Sequence, residues 1–283
     1  MFSADKIVRK YSDLKTLPHV AIKVNQLIKS GNATMRDFEE IIKLDPVLIT
    51  RMLKLVNSPY FGLVNKIESI SKAVVFMGMA NLRNLVAIEA LRDIYKDEVP
   101  VNGGFSRTNL WFHSATVAIL SEMIAKRIFG LAGEDCFLAG IIHDIGMVAE
   151  DQVAGDLLRK AFVAYIPGDR SIIEFEREIV GTDHCKVGGA LAREWGLPDE
   201  VLKAVRFHHD KEREFPPESA IGIVQLAEYF AGKMKYSVVK GQVEPLAPSL
   251  VSHVKQKLDN YKVIVKDLPG EMAKARELYG ESA

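Results

Sequence analysis

Five of the seven histidines fall between residues 113 and 209, four of them beside an apolar or small residue. They occur as WFHSA (His113), IIHDIG (His143, followed by Asp144), TDHCKVGG (His184) and RFHHD (His208 and His209). Imidazole is the commonest protein metal ligand near neutral pH. One inward histidine is ordinarily a satisfied core residue, so the joint pattern carries the inference. A carboxylate such as Asp144 has two oxygens and can bridge two cations, which an imidazole cannot. Mixed imidazole and carboxylate ligands suit Fe, Mn or Zn, with no soft sulfur cage to favour Cu(I) or an iron–sulfur cluster. Burying such groups unpaired costs about 2–7 kcal/mol for a neutral group and more for a charge. A metal ion or a hydrogen-bond network must offset that cost, unless the set is the remnant of a former site.

Helices must position these groups. Residues 17 to 29, LPHVAIKVNQLIK, space Val20, Val24, Leu27 and Ile28 at helical intervals. Thr34 before MRDFEEIIKL reads as an N-cap, and Asp45-Pro46 opens a further helix with proline in the first turn. ISKAVVFMGMANLRNLVAIEALRDIY, after Ser69, reads as two helices meeting near Gly78. The one place where a short strand competes is KVIVKD at 262 to 267. An amphipathic helix is expected around SHVKQKLDNY. If His143-Asp144 and His208-His209 are helical, each pair diverges by about 100° and grips an ion at the seam between its two side chains. Gly146 leaves room for a backbone or a ligand to approach closely. The expected class is all-α, in two lobes. The segment from 96 to 109, with Pro100 and Gly103-Gly104, divides residues 1–100 from 101–283, and YIPGDRS at 165 to 171 is a second loop.

Composition excludes several functions. Lys+Arg and Asp+Glu are balanced at 37 each, and no basic stripe with interleaved aromatics occurs, so nucleic acid is not an expected partner. No Gly-rich phosphate loop follows a strand. The N-terminus MFSADKIVRKYSDL has no apolar secretory core, and no run approaches the roughly 20 apolar residues of a membrane span. Cys136 and Cys185 form no CxxC pair and are expected to be reduced thiols in a cytoplasmic protein.

The order His113, His143-Asp144, His184, His208-His209 resembles the HD superfamily of metal-dependent phosphohydrolases, and HDIG is similar to its cyclic-dinucleotide phosphodiesterase branch. More of the chain, roughly residues 15 to 232, resembles the narrower HDOD family (HD-related output domain). The matching segments are LPHVAIKV, DP at 45–46, RMLKLVNSPYFG at 51–62, SISKAVVFMGMANLRNLV at 69–86, WFHS, DHCKVGGALAREWGLPDEV and KAVRFHH. That resemblance implies a two-lobed helical fold with an HD-like core in the C-terminal lobe. It also implies a role in bacterial signalling, where many members are thought to have lost catalytic residues and act as regulatory modules.

Residue by residue, the resemblance implies metal ligation by His113, His143, Asp144, His184, His208 and His209. Glu228, in IVQLAEYFA, stands where the superfamily has a ligand aspartate. It is one methylene longer, and the alternative is a solvated helix residue. Two departures argue against cyclic-dinucleotide hydrolysis. Met147 follows HDIG where that branch has a phosphate-binding lysine, and the tripeptide GYP is absent after the histidine doublet.

Two functions follow as expectations. One is a signalling module with a mono- or dinuclear metal site, taking a protein partner or a small phosphorylated ligand. Tyr60 and Phe61 of NSPYFG then offer an interaction surface, or else dock on the protein's own core. The other is a phosphohydrolase in which Asp144 orients the attacking water, with Lys186 and Arg206 the only cations at hand for the leaving group.

Overall fold

In a computed structural model, the protein is described over residues 1–14, 34–42, 46–57, 65–92 and 104–279, except 167, 169 and 240, together with residues 27, 63 and 95. Every element among the described residues is a helix. The order is α1 (Ala4–Leu14), α2 (Met35–Ile42), α3 (Pro46–Val56), α4 (Ile70–Arg92), α5 (Arg107–Ile128), α6 (Glu134–Ile142), α7 (Ile145–Ala164), α8 (Ile172–Ile179), α9 (His184–Glu194), α10 (Asp199–Phe207), α11 (Ala220–Lys233), α12 (Pro248–Gln256) and α13 (Leu258–Tyr279). None of them is long and apolar enough to cross a membrane.

The chain forms two compact units, Met1–Thr16 with Tyr95–Asp267, and Leu17–Ile94 with Leu268–Ala283. The division near residue 95 lies close to the connection expected at 96 to 109, but α1 belongs with the second lobe. The reason is its apolar stripe: Ile7 and Tyr11, four apart on one face, are buried, and α1 packs on α7 and α9.

In the smaller unit, α2, α3 and α4 pack on one another. Phe38 and Ile42 of α2 and Met52 and Val56 of α3 supply buried (i, i+4) pairs. Thr34 caps α2 as expected, with its hydroxyl accepting from the Asp37 N–H and the Asp37 carboxylate accepting from the Thr34 N–H. Helix α4 breaks at Gly78, whose φ of 72° suits glycine. The helix expected at 17 to 29 lies outside the described residues apart from Leu27, as do Tyr60, Phe61 and the Pro100–Gly103 stretch.

In the larger unit, α5 is the central helix, buried almost continuously from Leu110 to Ala125, with α6 and α11 against it. The α5–α6 crossing is close because a side chain at Gly140 would meet the Ala118 backbone, 2.6 Å from its Cα. A buried pair ties the start of α5 to α7, with Arg107 Nε 2.6 Å from Asp151 Oδ2.

Three local expectations are corrected. α5 starts at Arg107, inside the segment read as a connection, because Ser106 caps it by accepting from the Asn109 N–H. KVIVKD is helical within α13: Tyr261, Ile264, Leu268 and Met272 are buried at helical spacing, and that packing overrides β-branched propensity. The helix expected around SHVKQKLDNY breaks at Lys257 into α12 and α13.

Candidate metal centre

Seven side chains predicted from the sequence converge in the larger unit. His113 lies on α5, Glu228 on α11, and His184 at the first position of α9. His143 and Asp144 form the turn between α6 and α7, and His208 and His209 the turn after α10. Neither doublet lies inside a helix, although His143 and His208 keep right-handed helical backbone angles as C-caps. At Asp144 the backbone leaves helical geometry (φ −99°, ψ 13°), so both side chains reach one centre. Gly146 serves backbone packing: a side chain there would strike the His184 carbonyl of α9.

The seven form two sets that share Asp144. One is His113, His143, Asp144 and Glu228; the other is Asp144, His184, His208 and His209. Within each, one ligand atom per residue lies within 4.8 Å of all the others. Glu228 is buried and faces the histidines, so the alternative of a solvated helix position is set aside.

Hydrogen bonds at the far side of four rings fix what each ring presents. His113 Nδ1 lies 2.8 Å from the Tyr236 carbonyl, His143 Nδ1 2.7 Å from that of Gly140, and His208 Nδ1 2.9 Å from that of Val205. His184 Nδ1 lies 2.8 Å from Glu176 Oε2. Each partner is an acceptor, so Nδ1 carries a hydrogen and a neutral ring turns a bare Nε2 inward. Those Nε2 atoms meet carboxylate oxygens. His143 Nε2 is 2.8 Å from Glu228 Oε1 and 3.1 Å from Asp144 Oδ2, and His184 Nε2 is 3.2 Å from Asp144 Oδ1. His143 Nε2, His184 Nε2 and Asp144 Oδ1 are buried without an aligned hydrogen bond among the described residues. Lone pair facing lone pair at such distances is repulsive unless a cation or a proton lies between. The donor set therefore fits one or two divalent ions.

Without a metal, protons take that place. Burial pushes the His143 imidazole down, but the Asp144 and Glu228 carboxylates outweigh it and hold its pKa at about 9. Burial likewise pushes Asp144 and Glu228 up, yet the surrounding imidazoles hold both well below the usual carboxylate range. A folded-state pKa raised from 6.5 to about 9 stabilises metal-free protein fully below about pH 6.5, and that contribution is lost as pH rises through 9. It is on the order of 3 kcal/mol. Chelated protein should therefore melt several degrees lower at about pH 9.5 than at pH 6.5. Metal-loaded protein, with neutral ligand imidazoles, should show little of that drop. Paired thermal melts check this.

Two spaces adjoin the centre. A cavity of about 20 Å³ is lined by His113, Asp144, Met147, His209 and Glu228. A cleft of about 420 Å³ is lined by Arg177, Cys185, Arg206, Phe207, His209 and Arg213, with Asp210 and Glu212 also on its wall. Arg206 makes no ion pair among the described residues, and its guanidinium lies 5.4 Å from the Phe207 ring centroid. Lys186, the other cation proposed from the sequence, sits 3.6 Å from Asp183 at the surface. Both cysteines are free and buried, and Cys185 Sγ lies 3.8 Å from His208 Nδ1. Sequence reasoning missed Glu176. Its signal is an acid on an apolar stripe, at helical spacing from Ile172, Ile173 and Ile179.

Comparison with known proteins agrees with this architecture. The HDOD domain matches residues 14–211. An uncharacterized protein of Treponema pallidum (strain Nichols) is 28% identical over 210 residues, 73% of this chain and 40% of that protein. Ribonuclease Y of Aquifex aeolicus (strain VF5) is 28% identical over 113 residues, 40% of this chain and 15% of that enzyme. The chain thus spans less than half the length of these relatives. Among solved structures, an HDOD domain protein of unknown function from Geobacter sulfurreducens superposes with a TM-score of 0.69 at 22% identity, over 93% of this chain and 97% of that one. A candidate signal transduction protein from Marinobacter aquaeolei VT8 gives 0.74 at 19% identity, over 94% and 60%. These likenesses show the fold. The match over residues 14–211 covers more than half of the sequence and establishes that the chain belongs to the HDOD domain family.

Proposed function

We propose that the chain is a bacterial, cytoplasmic signal-transduction module whose larger lobe holds one or two divalent ions, Fe, Mn or Zn, without turning over a phosphoester. His113, His143, Asp144 and Glu228 would hold one ion, and Asp144, His184, His208 and His209 the other. The smaller lobe would contact a signalling partner, and a small phosphorylated ligand would enter beside His209, where Arg206, without an ion pair among the described residues, lines the cleft.

One observation carries the non-catalytic reading. Buried Met147 lines the cavity at the ligand set, and that cavity holds about 20 Å³. On the Met147 side of the ligand set, such a volume admits about one water. A thioether also offers no charge or hydrogen-bond donor to a phosphate.

A second reading, metal-dependent phosphohydrolase, is favoured by the completeness of the ligand set. A bound divalent cation would supply Lewis acidity toward a phosphoryl oxygen. Asp144 and Glu228 would supply compensating negative charge, and the histidines would fix the geometry.

An assay of Fe-, Mn- and Zn-loaded protein against phosphomonoesters, linear phosphodiesters and cyclic dinucleotides separates the two. The expected result is no turnover above that of Asp144→Ala. Turnover by the wild type that Asp144→Ala abolishes would overturn the regulatory reading.

A further inference from the structure

We propose that Glu176, which is outside the ligand set, is the positioning residue that fixes His184 for metal binding. This rests on the metal reading above. The Glu176 side chain is fully buried on α8, and both its oxygens are committed to one residue. His184 Nδ1 lies 2.9 Å from Oε1 and 2.8 Å from Oε2, and the His184 backbone N–H donates to Oε2 at 3.0 Å. The ring and the first turn of α9 are thus held by a single carboxylate, and Nε2 is left bare toward Asp144 Oδ1.

This anchor differs in kind from the others. His113, His143 and His208 engage neutral backbone carbonyls through Nδ1. His209 Nδ1 lies 3.4 Å from Glu244 Oε2 with no aligned hydrogen bond. Among these five rings, His184 alone has both oxygens of a carboxylate within 3.0 Å of Nδ1. A carboxylate there locks the tautomer and raises the basicity of the metal-facing nitrogen, and its loss ordinarily weakens metal binding by 10–100-fold.

A second buried acid supplies the control. Glu150 of α7 is fully buried, and neither of its oxygens has a hydrogen-bond partner among the described residues. Burial, and then the negative charge of Glu176, push the Glu150 carboxyl well above the usual range. Its amide is a near-isosteric replacement at a buried position outside the ligand set. At Glu176 an amide is a mismatch, because its NH2 would face the ring Nδ1–H at either oxygen position, and the His184 N–H as well at that of Oε2.

The test is a zinc titration of the full chain against a chromophoric chelator, comparing wild type, Glu176→Gln and Glu150→Gln. Zinc affinity should fall about 10–100-fold in Glu176→Gln and stay within about twofold in Glu150→Gln. Wild type that takes up no zinc overturns the metal reading, and this inference with it. Zinc uptake by wild type that Glu176→Gln matches overturns the inference alone. Should Glu176→Gln fail to fold, ring-nitrogen NMR of zinc-loaded wild type decides. A hydrogen on His184 Nδ1 and none on Nε2 is expected; the reverse pattern overturns the proposal.

Discussion

Asp144→Ala is expected to leave the protein without bound metal. Its Oδ1 lies 3.2 Å from His184 Nε2 and 3.4 Å from His208 Nε2, while Oδ2 lies 3.1 Å from His143 Nε2. One carboxylate thus serves both ligand sets, and no other described residue belongs to both. Loss of an outer-shell partner alone weakens binding by 10–100-fold, and removing a shared anionic ligand should exceed about 100-fold at each set. His143→Ala is the informative contrast, because it belongs to one set. If two ions bind, His143→Ala should lose about half of the metal and Asp144→Ala nearly all of it. Elemental analysis of protein purified without added metal measures both. Wild-type metal content in Asp144→Ala would show that the metal, if any, is held elsewhere.

The second large effect is on the fold. In Gly146→Ala the new methyl would strike the His184 carbonyl oxygen and lie 2.7 Å from the His184 carbonyl carbon and 2.8 Å from the Gly188 nitrogen. All three are backbone atoms of α9, so no side chain can turn aside. The two helices must separate, at a cost of about 3 kcal/mol or more, the upper end for overpacking. For a chain of this size that lowers Tm by roughly 6–12 °C. The same separation would draw His184 away from Asp144, so metal content should fall together with Tm. A Tm within about 2 °C of wild type, with full metal content, would contradict the close α7–α9 crossing.

Much of this centre was legible in the sequence because its ligands announce themselves chemically. A titratable side chain directly after an apolar residue is conspicuous at His113, His143 and His208. The α-helical class was legible too, since apolar spacing of three and four recurs along the chain. What escaped depends on tertiary packing. Nothing local marks the turn at His143-Asp144: Asp144 stands at an N-cap position, yet its side chain makes no capping bond because it faces the histidines. The placement of α1 with the larger unit escaped because an amphipathic helix does not name the surface that covers it. KVIVKD misled because β-branched residues favour strands in isolation, whereas burial of Tyr261 and Ile264 at helical spacing decides in context.

Glu176 shows the same limit from the other side. An acid on an apolar stripe is detectable, but its partner, eight residues along the chain on another helix, is not. Met147, which stands where the resemblance implies a lysine, lines the cavity beside the ligands.

The central claim is that a metal ion lies among the Nε2 atoms and the Asp144 and Glu228 carboxylates. The most direct test is anomalous X-ray diffraction from crystals of protein purified without added metal, collected across the Fe, Mn and Zn edges. An anomalous peak in contact with Asp144 and at least two of the histidines is the predicted result. No peak at any edge, in these crystals and in crystals soaked with each metal, would contradict it.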